Sequence, residues 1–120
     1  YMKKLSTPYG ELDLKIYTYP NKRIAILLYS DDELFDDLTI NLPNQPINAI
    51  DEGFINSSIE ITTTDEFNMI DELKRVGVIE TTYGQRGYNF GQYAYVKFNL
   101  EVLKEYDEDG YNNFINEVGA

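Results

Sequence analysis

The amino-acid sequence predicts an α+β fold: an antiparallel sheet of about five strands packed against one main helix, with a short helical C-terminal tail. Three observations carry that expectation. Residues 11–30 contain an alternating and then a continuous apolar stretch separated by a turn, which is the pattern of a hairpin. Residues 63–77 place apolar side chains at helical spacing between a capping sequence and a glycine. A second clean alternation follows at 92–100.

Taken in order, Leu12, Leu14 and Ile16 alternate with Asp13, Lys15 and Tyr17, so residues 11–19 read as a strand with one wetted face. Pro20-Asn21-Lys22 breaks it. Residues 23–30 are nearly all apolar, as in a central strand. Asp31-Asp32-Glu33 makes a second turn, and Leu38, Ile40 and Leu42 continue a third strand over 34–42. Pro43 and Pro46 end it, because each removes a ladder donor. A short strand is expected within 54–61. Thr63 and Glu66 form a capping box for a helix over 64–76, with Phe67, Ile70, Leu73 and Val76 on one face and Gly77 at its end. Residues 78–83 read as a strand, Gly84 to Gly87 as a loop, and 92–100 as the closing strand. Two short helical turns, 101–106 and 111–118, flank Asp107-Glu108-Asp109-Gly110. The core is expected to hold Leu14, Ile16, Ile26, Leu38, Ile40, Phe67, Ile70, Leu73, Val96 and Phe98.

A length of 120 residues suits one domain over 1–120, with a core of about 9–100 and an acidic tail at 101–120. Tyr1 precedes Met2, so the natural chain is expected to begin at Met2. Hydrophobic residues make up 42% and charged residues 26%, which is the balance of a globular protein. There is no cysteine, no apolar run of membrane-spanning length and no signal peptide pattern, so a cytoplasmic location is expected.

The net charge is −11 and unevenly spread. No Lys or Arg occurs from Ile24 to Leu73, while residues 31–72 hold twelve carboxylates. That balance disfavours direct contact with nucleic acid or an anionic membrane, and it suits a basic protein partner. Solubility alone is the plainer explanation of the same charge.

The runs K-I-Y-T-Y-P-N-K-R-I-A-I-L-L (15–28), L-T-I-N-L-P (38–43) and D-E-L-K-R-V-G-V-I (71–79), ahead of Y-V-K-F (95–98), together resemble a family of small uncharacterised proteins from bacterial plasmids, phages and integrative elements. The likeness covers roughly residues 9–100. It implies an accessory gene of a mobile element and carries over no functional residue.

Most chemistry is excluded by residue type. Without His or Cys there is no imidazole base, no thiol nucleophile, no serine triad and no zinc ligand set. Two carboxylates could support glycoside hydrolysis, yet proximity means little among 21 of them. Gly84 and Gly87 lack the Gly-Lys-Thr pattern of a phosphate loop. Asp107-Glu108-Asp109-Gly110 opens like a calcium loop, but glycine arrives at the fourth position and Val118 stands at the twelfth, so an exposed acidic turn is expected instead. No catalytic residue, metal ligand or cofactor is assigned, and an enzyme is not expected.

Two candidate surfaces remain. Asp31, Asp32, Glu33, Asp36 and Asp37 at the second turn, with Asp65, Asp71 and Glu72 of the helix, form an acidic face if turn and helix share one side of the sheet. Such a face would engage a basic protein, and at its sharpest would mimic nucleic acid as an anti-defence device. The second surface is the glycine-supported segment 83–95, where Arg86, Tyr88 and Tyr93 join Tyr83, Phe90 and Tyr95. It has the composition of a binding hot spot, or alternatively of a small-ligand or enzymatic pocket. Cross-strand aromatic pairing would explain it without any function. Base stacking on RNA is a further option that the net charge opposes.

Overall fold

The computed structural model describes residues 2–8, 10–56, 67–88 and 91–119. Two four-stranded antiparallel sheets stand where a single sheet was expected. The first has the order β1-β2-β3-β4, from Leu5–Thr7, Gly10–Thr18, Ile24–Ser30 and Glu33–Asp37. The second has the order β5-β6-β8-β7, from Thr39–Ile40, Glu52–Ile55, Gly91–Phe98 and Ile79–Tyr88. Three helices are seen among the described residues: α1 at Met69–Arg75, α2 at Leu100–Tyr106 and α3 at Glu108–Val118.

The expected third strand, 34–42, divides at Leu38. The Leu38 N–H donates to Ile26 O of the first sheet at 3.0 Å, whereas its carbonyl accepts Asn56 N–H, beside the second sheet, at 2.9 Å. Buried Thr39 strengthens the crossing, since its Oγ1 accepts Ile26 N–H and contacts the Tyr19 hydroxyl. An alternating sequence therefore continues smoothly while its hydrogen bonds change sheets.

Asp31 and Asp32 both take the left-handed conformation, with φ of 50° and 67°. Ser30 pairs directly with Glu33, so these two residues form the whole β3–β4 turn. Positive φ at both central positions gives the backbone twist that matches flanking strands.

The helix expected over 64–76 begins later, at Met69. Asn68 is extended, and its side chain accepts Asp71 N–H at 3.1 Å, which caps the helix there. The Thr63–Glu66 box and Asp65 lie outside the described residues. Met69 and Leu73 are buried, and α1 packs on β7. β7 also departs from expectation, because it runs through Gly84 to Tyr88 where a loop was expected. The closing strand ends at Phe98, since Asn99 caps α2 by accepting Glu101 N–H and Val102 N–H.

The C-terminal segment is two docked helices, and Asp107 joins them. Its Oδ1 accepts Gly110 N–H at 3.1 Å as the N-cap of α3, and its Oδ2 accepts Ile16 N–H at 2.8 Å. β1 pairs only as far as Leu12, so the edge of β2 beyond it needs that acceptor. Gly110 is buried there, and a Cβ would lie 2.7 Å from Ile16 O. The expected exposed acidic turn is thus a docking point.

One core cluster unites both sheets and all three helices, through residues such as Leu14, Ile26, Val96, Phe98, Leu73, Leu103 and Phe114. Of the expected core, Ile40, Phe67 and Ile70 are half-buried and the other seven are buried. A second cluster of Leu42, Phe54 and Tyr95 lies on the opposite face of the second sheet, with Ile40, Ile47, Tyr88 and Tyr93 packed on it.

Candidate functional site

Cross-strand register sorts the candidate residues onto two surfaces. On the outer face of the first sheet, Asp13 lies opposite Tyr29, Lys15 opposite Leu27, Tyr29 opposite Leu34, and Leu27 opposite Asp37. Leu34 is 57% exposed and Tyr17 47%. The Tyr17 phenol is raised above its ordinary value, first by a hydrogen bond with Tyr29 and then by burial. Exposed Asp31, Asp32, Glu33 and Asp37 border this strip. Among the described residues, none of the four enters an ion pair. Lys4 feels Asp31 but is paired with Asp13 at 2.7 Å. Asp36 parts from the group, since it lies opposite inward-facing Leu28 and its Oδ1 accepts Asp37 N–H.

The helix carboxylates belong to another element, on β7. Asp71 is exposed, and Glu72 is bound by Arg75 through contacts of 2.8 and 2.5 Å. Arg75 also holds the Glu72 carboxyl below its usual range.

The second surface is a recess of about 360 Å³ on the second sheet, lined by Asn48, Glu52, Tyr83, Arg86 and Tyr95. A bulge in β7 builds it. Thr82 pairs with Val96 and Gln85 with Ala94, which leaves Tyr83 and Gly84 together opposite Tyr95. Gly84 has φ of 99° and no neighbour within 4 Å of a Cβ, so the backbone conformation, rather than space, calls for glycine. The Tyr95 ring stacks on Phe54, meets Tyr83 at 5.1 Å and carries the Arg86 guanidinium 4.9 Å above its centroid.

Glu52 is the residue that sequence reasoning missed. It is only 6% exposed. Its Oε1 accepts Asn48 N–H at 2.8 Å and the Tyr95 hydroxyl, and the nearby Tyr83 hydroxyl helps to stabilise the same carboxylate. Burial alone would raise its pKa, but these donors outweigh burial and hold it below the ordinary value. Burial and the Glu52 carboxylate push the Tyr95 phenol up to about 12. The only hint in the sequence was one carboxylate two residues before Phe54, in a segment with no alternation to betray its burial.

Arg86 thus lines the recess, whereas Tyr88 and Tyr93 pack against the second cluster as aromatic support. Among the described residues, no group of acidic side chains could hold a metal ion, and no helix is long and apolar enough to cross a membrane.

No curated protein and no solved structure matches the chain. A family model described as a domain of unknown function matches residues 11–118. Both C-terminal helices therefore lie inside the shared pattern, beyond the 9–100 span of the resemblance. The chain belongs to this family, DUF4313.

Proposed function

We propose that the protein works without catalysis, by binding a basic protein partner through the outer face of its first sheet. The observation that carries this reading is the strip of exposed Leu34 and Tyr17 with half-buried Leu27 and Tyr29, inside a border of carboxylates that enter no ion pair among the described residues. An apolar centre with a charged rim is how protein interfaces are commonly built. The rim selects Lys and Arg, and the centre supplies the apolar burial. Lys15 sits within the face, so the negative charge is concentrated at the β3–β4 end. Simple nucleic-acid mimicry is less well supported, because apolar groups take the middle of the strip and Asp36 turns away from it. The setting implied by the resemblance, a mobile element that meets host proteins, agrees with a role in binding.

Selection of a random peptide library on the purified protein tests the reading. Enriched peptides should combine Lys or Arg with aliphatic or aromatic residues, and their binding should weaken with salt. Leu34→Ser, and separately Asp31→Asn with Glu33→Gln, should reduce binding, whereas Lys74→Ala should not. Enrichment of acidic peptides, or binding indifferent to Leu34→Ser, would overturn it.

A further inference from the structure

The recess on the second sheet holds two opposite charges that do not neutralise each other. Glu52 is kept ionised by phenol and backbone donors, and no ion pair among the described residues joins it to Arg86. Arg86 is seated on the Tyr95 ring, and its Nη1 donates to Gln85 O, the carbonyl of the preceding residue, at 3.0 Å. Lys97 lies opposite Glu52 in register yet is held by Glu80 at 3.0 Å and Asp51 at 3.9 Å. The cavity between them is therefore walled by one carboxylate, one guanidinium and two phenol rings.

We infer that this recess binds a small zwitterion of the free α-amino-acid type, its ammonium toward Glu52 and Tyr83 and its carboxylate toward Arg86. Each wall excludes a simpler ligand. A phosphate or plain carboxylate would suit Arg86 but meet Glu52 and the field of a protein with net charge −11. A plain amine would suit Glu52 and the aromatic rings but meet Arg86. A molecule carrying both charges satisfies both walls and adds no net charge. Guanidinium recognises carboxylate through paired donors, and an ammonium gains from both a carboxylate and a ring face. A volume of about 360 Å³ holds an amino acid and lies at the small end of ligand pockets. The β7 bulge is the structural device that brings Tyr83 to this wall.

Titration of isotope-labelled protein with pools of α-amino acids, followed by amide chemical shifts, tests the inference. At least one amino acid should give saturable shifts centred on Asn48, Glu52, Tyr83, Arg86 and Tyr95. Its decarboxylated amine and its N-acetyl derivative should both fail to saturate the site. Arg86→Ala, at a half-exposed position, should weaken binding roughly tenfold or more through loss of a charge-assisted pair. Tyr83→Phe should weaken it less, while Leu34→Ser should leave it unchanged. Absence of saturable shifts in the recess at millimolar amino acid would overturn the inference, as would equal binding of the amine or indifference to Arg86→Ala.

Discussion

Asp31 and Asp32 occupy a turn for which Asn-Gly is the favoured sequence. Each holds a positive φ that a residue with a Cβ adopts at some cost, and the two side chains are adjacent like charges. Replacing the pair by Asn-Gly should therefore stabilise the protein, by roughly 0.5–1 kcal/mol. Denaturant unfolding checks this. If the wild-type pair proved as stable, the turn would have to be strain-free as it stands. A gain in stability coupled to weaker peptide binding is the result that the proposed function expects.

At the scale of elements, Asp107 and Gly110 fasten α3 to the uncovered edge of β2. Asp107→Ala removes a helix cap and leaves Ile16 N–H without its acceptor, so it should cost roughly 1–3 kcal/mol. Gly110→Ala places a methyl against Ile16 O and should cost about as much through overpacking. Leu73→Ala, which opens a cavity between α1 and β7, should cost roughly 2–5 kcal/mol. Thermal or denaturant midpoints measure all three, and a neutral Gly110→Ala would refute the close approach. The hairpin of β2 and β3 was legible because period-two alternation reports a half-buried face directly. The sheet change at Leu38 was not, since alternation continues unbroken when the hydrogen-bond partners change. The described helix starts at Met69 because Asn68, itself extended, is a competent cap close to the apolar run. A sequence holding two cap-competent residues, Thr63 and Asn68, does not say which of them opens this helix. The docking of Asp107 was hidden for a similar reason, as its partner Ile16 is 91 residues away. That Arg86 keeps aromatic company was legible in the sequence, but the place of Glu52 beside it in the recess was not, because burial of a lone carboxylate depends on donors brought by distant strands.

For the whole molecule, the Glu52–Tyr95 contact contributes at both ends of the pH range. The Glu52 carboxyl is depressed in the folded state, so its contribution is present above the ordinary value of 4.5 and is lost as pH falls through the folded value. The Tyr95 phenol is raised from 10.0 to about 12, so its contribution is complete below 10.0 and is lost as pH rises toward 12. Stability measured against pH should show Glu52→Gln flattening the acid limb and Tyr95→Phe flattening the alkaline limb. An acid limb unchanged by Glu52→Gln would place the sensitivity elsewhere. Added salt at neutral pH should raise the thermal midpoint, because a net charge of −11 repels itself.

Leu38 has one further consequence, for motion. Its amide hydrogen is bonded to the first sheet and its carbonyl to Asn56 beside the second, so an opening of either sheet at that point pulls on the other. Partial openings that release a single sheet are thereby suppressed, and the molecule should come apart as one unit. In deuterated water the amides of Leu38 and Asn56 should be among the last to exchange, at the pace of global unfolding. Exchange of Leu38 as fast as the exposed β3–β4 turn would mean that the two sheets open independently.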